Sequence, residues 1–197
     1  MLKKKILLLF VSIFAANMAL AQSADMKNML KIGVNAGAST GQNTSANAGL
    51  DISYQNLVVP GFGLGVSTGY NHFFGKKRNF DGVTIDNNDF GVIPIAALIK
   101  VYPGKSGFYG GTDIGYGFIV GKEKVANNHY PSESLYNADM PSGGLYLRPE
   151  IGYHNRNWNF FVHYTKVFVG NEGKVGNDKF NAGTVGAGVA YNLPLGR

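Results

Sequence analysis

The stretch Leu30-Lys31-Ile32-Gly33-Val34-Asn35-Ala36-Gly37-Ala38 decides the fold. Leu, Ile, Val and Ala fall on one parity; Lys, Gly and Asn fall on the other. Successive side chains of an extended strand point to opposite faces, so these residues form a strand with one apolar and one polar face. The polar face is mostly glycine and amide with a single charge. That suits a tight interior better than a solvated exterior.

Seven further stretches repeat the pattern, at 48–55, 62–71, 90–102, 108–119, 144–154, 158–169 and 180–193. In the second, Asp51, Ser53 and Gln55 share the polar parity. In the fourth, Ile93, Ile95, Ala97, Ile99 and Val101 share the apolar one. Ile114, Tyr116 and Phe118 alternate with Asp113, Gly115 and Gly117. Leu145, Leu147, Ile151 and Tyr153 alternate with Tyr146, Arg148, Glu150 and Gly152. The connections after strands one, three, five and seven are roughly 7 to 22 residues and the others about 4 to 5, an alternation typical of outer-membrane barrels. The pattern predicts an all-β fold, an eight-stranded antiparallel up-and-down transmembrane β-barrel. An even strand count puts both termini on the short-turn side, which in outer-membrane barrels is the periplasm.

Outward from the barrel, the N-terminus reads as a signal peptide. Lys3, Lys4 and Lys5 form a basic region, 6–16 is apolar apart from Ser12, and Ala19-Leu20-Ala21 is an A-x-A cleavage site before Gln22. The apolar run is shorter than the ~20 residues of a spanning helix. Cleavage after residue 21 leaves one barrel domain, 22–197, and lowers the formal charge from +6 to +3. The basic balance is thus partly a property of the leader. No Lys/Arg cluster lies along one face, so no nucleic-acid partner is expected; Lys76-Lys77-Arg78 sits in an expected loop. The chain has no cysteine, which removes disulfides, thiolate chemistry and Cys-based metal sites. Charged residues make up 15% of the chain, against roughly 25% in soluble domains, as expected for a lipid-facing exterior.

Aromatic residues mark the strand ends. On the outward parity, Tyr54, Phe62, Phe108, Tyr153, Trp158 and Tyr191 cluster at the short-turn ends. Tyr70, Phe74, Phe118 and Phe168 lie toward the loop ends. Two such girdles are expected where rings meet both membrane interfaces. Tyr102 falls on the inward parity instead. Pro94 and Pro149 lie inside expected strands and require a bulge or a local break, because proline donates no ladder hydrogen bond.

The leader, the eight strands, Ile93-Pro94-Ile95 leading to Lys100-Val101-Tyr102-Pro103, and the Gly-rich segment Gly110-Gly111-Thr112-Asp113-Ile114-Gly115-Tyr116-Gly117 carry a resemblance. Together they resemble the small outer-membrane β-barrel superfamily, which includes the OmpA transmembrane domain and the OmpX-like proteins. The resemblance implies a barrel in the outer membrane of a Gram-negative bacterium, in contact with outer-membrane lipids, lipopolysaccharide and the barrel assembly machinery. Members serve adhesive, stress-related and structural roles. One departure is the C-terminus: such barrels commonly end in an aromatic residue, whereas Tyr191 is followed by six more residues.

An eight-stranded barrel has an interior just wide enough for side chains to fill. By parity it receives Lys31, Lys100 and Arg148 together with Asp51, Asp113 and Glu150, three charges of each sign. Buried unpaired charge is costly, so this balance predicts a structural ion-pair and hydrogen-bond network. Arg148 and Glu150 are same-face neighbours, able to pair with each other or across strands. His163-Tyr164-Thr165 resembles the His and Ser two apart of lipid A deacylase barrels, with Thr for Ser and Glu172 or Glu150 to orient the histidine. That chemistry needs outward side chains, and parity turns His163 and Thr165 inward. His72, His129 and His154 carry no metal-ligand spacing. Asp86-Asn87-Asn88-Asp89 offers oxygens for a weak divalent cation, or a solvated turn. Gly61-Phe62-Gly63-Leu64-Gly65 opens no helix and is not a nucleotide loop; its glycines keep the inward face small beside bulky neighbours.

The expected role is structural, adhesive or interactive, through the outer loops. Segment 121–142, with Lys122, Lys124, His129, Tyr130 and Tyr136, is the candidate contact surface. No cofactor, metal or catalytic residue is expected. The alternatives are a lipid A-modifying hydrolase, a narrow gated pore, or a soluble lipocalin-type barrel, which would place apolar residues inside and charges outside.

Overall fold

In the computed structural model, residues 27–80, 83–104, 106–126, 138–174 and 179–195 are described; the expected signal peptide, 1–21, lies outside them. Among the described residues ten strands form: β1 (Asn28–Ser39), β2 (Thr44–Val59), β3 (Phe62–Gly75), β4 (Lys77–Phe80), β5 (Val83–Asp86), β6 (Phe90–Val101), β7 (Gly107–Gly121), β8 (Gly143–His154), β9 (Trp158–Phe168) and β10 (Ala182–Pro194). Eight of them close into one antiparallel barrel in the order β1-β10-β9-β8-β7-β6-β3-β2. Closure comes from β1, which pairs with β2 on one side and with β10 on the other, Ile32 opposite both Ile52 and Tyr191. A closed sheet leaves no edge with unpaired backbone groups, the condition for crossing lipid with strands.

Strands β4 and β5 form a separate hairpin within the connection from β3 to β6, where sequence predicts a loop throughout. Strand β2 is longer than expected at both ends, which shrinks the first connection to residues 40–43 and the next turn to Pro60-Gly61. The alternation of short turns and long loops is therefore not strict: the first connection is as short as a turn. Gly61 has φ 77°, a left-handed conformation that glycine adopts without Cβ strain. The last strand begins at Ala182 rather than at Phe180, which is buried in the segment before it.

Both prolines interrupt the ladder without shifting it. Pairing of β3 with β6 stops after Thr68–Ile95 and resumes at Asn71–Val92 in the same register. Pairing of β8 with β9 stops after Leu147–Lys166 and resumes at Glu150–His163, again in register. Each proline has lost its ladder bonds on one side and remains opposite a residue on the other, Pro94 beside Gly117 and Pro149 beside Thr112. The register shifts that do occur flank Ser45 and Val58 on β2.

Every barrel strand alternates between buried and exposed side chains. The exposed set is apolar, with Val66 at 60%, Ile95 at 61% and Ile151 at 66% exposure. Of the charged residues on the barrel strands, all but Lys166 point inward. This is the reverse of a soluble lipocalin-type barrel, so that alternative fails on the arrangement of faces.

Candidate functional site: the lumen and the loop face

The lumen is filled in three tiers. At the short-turn end, Met29, Leu57, Tyr102, Tyr109, Phe161 and Ala190 form an apolar plug. Tyr102 and Tyr109 stack at 5.3 Å, and His154 packs edge-on to Tyr102 at 4.7 Å. At the loop end a second plug contains Phe73, Phe90, Ile119, Val125, Tyr146, Val167 and Phe180. Phe73 and Phe90 stack at 4.9 Å with planes 8° apart, and Phe180 packs on Phe90 from the segment before β10. Sequence reading placed Tyr102 and Tyr146 inside but missed this upper aromatic tier. Its signal was present in Phe73 and Phe90, which share the inward parity of Asn71 and Val92.

Between the plugs lie the six charged residues read from the sequence. Lys31, Lys100, Asp113, Arg148 and Glu150 are 3–6% exposed, and Asp51 is partly buried. Arg148 donates from Nη1 and Nη2 to the two carboxylate oxygens of Asp51, at 2.8 and 2.9 Å. Bidentate pairing of this kind fixes direction as well as distance. Lys100 Nζ lies 2.6 Å from Glu150 Oε1, which also accepts from Tyr109 OH at 3.0 Å. Arg148 and Glu150 thus pair across strands rather than with each other.

The remaining two charges are held by neutral groups. Lys31 Nζ donates to Gln55 Oε1 at 2.8 Å and to Tyr102 OH at 2.6 Å. Asp113 Oδ2 accepts from Ser67 Oγ at 2.9 Å. Neither lies within ion-pair distance of an opposite charge, so the balance of charge does not become three pairs. Their partners Gln55 and Ser67 share the polar parity, but sequence alone does not reveal which strands face each other across the lumen. Amides extend the network upward: Asn35 donates to Asp51 at 2.8 Å, Asn47 to Asn35 at 3.3 Å, and Thr184 to Asn47 at 2.9 Å. The cavity left among these groups is about 30 Å³, enough for one or two water molecules.

Glycine makes room for the bulky members. A Cβ at Gly188 would lie 2.3 Å from Phe161 Cζ, and one at Gly152 would lie 2.7 Å from Tyr109 Cε1. Phe161 in turn carries the Arg148 guanidinium 5.2 Å from its ring centre. In the Gly61–Gly65 segment, a Cβ on Gly63 would meet the Gln55 side chain at 2.4 Å.

His163 and Thr165 face the lumen, 4% and 5% exposed, with His163 Nδ1 3.0 Å from Thr165 Oγ1. Glu150 stands opposite His163 in register but is held by Lys100 and Tyr109. Glu172 lies in the connection after β9. This arrangement presents no nucleophile to lipid.

At the loop end the connections knit together. Lys76 N donates to Asn43 O, Asn88 N to Val125 O and Val125 N to Ala138 O. Lys124 pairs with Asp139 at 2.5 Å, and Lys77 with Asp86 at 3.6 Å. The four oxygen-bearing residues 86–89 do not converge. Asn87 and Asn88 donate to the carbonyls of Lys76 and Lys124, while Asp89 accepts from Gly75 N and faces His72. The candidate cation site is thereby dispersed, and no metal-binding cluster occurs among the described residues. His129, Tyr130 and Tyr136 of the candidate contact loop lie outside the described residues.

Aromatic side chains lie on the outward face toward both ends of the strands. At the short-turn end Phe108 packs edge-on to Tyr153 at 5.9 Å and Trp158 to Tyr191 at 4.9 Å, while Tyr54 OH donates to Asn28 Oδ1. At the loop end Tyr70 lies across Gly91, where a Cβ would meet its ring at 2.4 Å, and Tyr116 packs on Phe118.

Among solved structures, the N-terminal β-barrel domain of Pseudomonas aeruginosa OprF aligns with TM-score 0.50 and 14% identity, covering 85% of this chain and 98% of that one. Ail of Yersinia pestis, solved with a heparin analogue, aligns at 0.48 and 14% identity, covering 84% and 97%. Neisserial surface protein A aligns at 0.46 and 13%, covering 85% and 97%. No protein-family model and no curated protein sequence matches the chain. The fold is that of the small eight-stranded outer-membrane barrels.

Proposed function

We propose that the chain is an integral outer-membrane β-barrel of a Gram-negative envelope, with both termini periplasmic and a structural, adhesive or interaction role carried by its loop face. The observation that carries this reading is the inversion of faces. An apolar belt bounded by two aromatic bands surrounds a lumen that holds the charges. The orientation is supported by the rim on which the barrel begins and ends: Leu57 N donates to Lys27 O and Leu195 N to Asn28 O, beside the two-residue turn after β2. The opposite rim carries the β4–β5 hairpin and the described parts of segment 121–142. The lumen network and its two plugs act as a structural core rather than a conduit, and lipopolysaccharide and the assembly machinery are the expected envelope partners. The test is gel mobility of the detergent-folded protein, unheated against boiled, together with cell fractionation. A heat-dependent shift and recovery in the outer-membrane fraction support the reading. A protein without a shift, recovered in the soluble periplasm, overturns it.

A further inference from the structure

Among the described residues, Lys166 is the one Asp, Glu, Lys or Arg side chain on the outward face of the eight barrel strands. It lies between Tyr164 and Phe168 on β9, within the loop-side aromatic band. Its register partners are Leu147 on β8 and Gly183 on β10. Glycine at 183 lets three side chains close over its backbone: a Cβ there would lie 2.6 Å from Thr40 Oγ1, 2.7 Å from Asn181 Oδ1 and 3.2 Å from Lys166 Cδ. Lys166 Nζ donates to Asn181 Oδ1 at 2.5 Å. An ammonium, a hydroxyl and a carboxamide from three segments thus converge on the outside of the barrel.

Directly along the strand lies an open apolar hollow of about 500 Å³, lined on the outward face by Gly110, Pro149, Ile151, Val162, Tyr164 and Val185. It sits where Pro149 interrupts the ladder to β9 and where Gly110 contributes no side chain. Val162 and Lys166 are four residues apart, roughly 13 Å along the strand.

We propose that this face of β8, β9 and β10 binds one phosphorylated membrane lipid. Its headgroup phosphate lies on Lys166 beside Thr40 and Asn181, and an acyl chain runs along the hollow. The proposal rests on the membrane location argued above and names a lipid partner within it. A lysine on a lipid-facing position is tolerated when its stem lies along apolar surface and its head reaches an anionic interface. A phosphate accepts several charge-assisted hydrogen bonds at once, and Lys166 retains donors beyond the one given to Asn181.

The test uses the full folded barrel in detergent, titrated with phosphatidic acid and with diacylglycerol of the same acyl chains, with retained lipid read by native mass spectrometry. Phosphatidic acid should be retained about tenfold more strongly, the scale of one hydrogen bond to a charged group. Lys166→Gln should remove that preference, Lys166→Arg should keep it, and Lys77→Gln on the hairpin should leave it unchanged. Gly110→Leu should weaken retention of both lipids by filling the hollow; a Cβ there meets nothing nearer than 4.0 Å, so folding is spared. Equal retention of the two lipids, an unchanged preference in Lys166→Gln, or equal binding of inorganic phosphate would overturn the site. Failure of the wild-type barrel to shift on heating or to enter vesicles would instead overturn the membrane reading itself.

Discussion

Arg148 and Glu150 sit two residues apart on one strand and face the same interior, yet each reaches a different strand, to Asp51 and to Lys100. Removing one partner of a buried pair leaves an uncompensated charge. Glu150→Ala should therefore cost about 3–5 kcal/mol in denaturant unfolding of the folded barrel, while the double variant Lys100→Met with Glu150→Leu should recover most of that loss. Asp113 differs, because it accepts from Ser67 and pairs with no cation. Asp113→Asn should cost at most about 1 kcal/mol in the same assay. Equal losses at Glu150 and Asp113 would show that pairing does not govern the stability of this tier. Alternation alone placed all six charges inside, and counting the outward parity of β9 would also have exposed Lys166. Which charges meet was not legible, since opposition across the lumen depends on closure.

At the scale of the strand, the two faces answer to different media. Val162 and Ile95 are exposed on the outer face near mid-strand, so Val162→Arg or Ile95→Arg should each cost about 2–4 kcal/mol when unfolding is measured in bilayers. Ser67→Arg meets a filled lumen and Asp113 instead, so its effect should not follow bilayer composition as theirs does. On β10, Gly188 leaves space for Phe161, which supports Arg148. Gly188→Val should cost about 1–3 kcal/mol through overpacking, measured by the same unfolding. A neutral effect would mean that the ring moves freely and does not hold the guanidinium. The β4–β5 hairpin escaped sequence reading because its strands are four residues each, too short for alternation to separate them from a polar loop.

For the whole molecule, two apolar plugs enclose a charged middle with room for one or two waters. Purified barrel reconstituted in a planar bilayer should show no stepwise ion conductance; steady single-channel currents would overturn the sealed-lumen reading. The knitted connections at the loop end give the β4–β5 hairpin and the 122–126 segment a common support, through Asn88 N to Val125 O and the Asn87–Ala126 bridge.

Architecture was determined by the sequence itself. A period of two, repeated eight times with apolar residues on one parity and glycine, amides and balanced charge on the other, leaves a closed barrel with a polar interior as the arrangement that satisfies both faces. Tertiary structure decided the rest. Stagger between strands chose Asp51 for Arg148 and Lys100 for Glu150, and left Lys31 and Asp113 to neutral partners. It brought Phe180 over Phe90 to close the upper tier. It set Thr40, from the far end of the chain, beside Asn181 and Lys166. Periodicity is a property of neighbours along the chain, whereas these meetings depend on the register at which the sheet closes on itself.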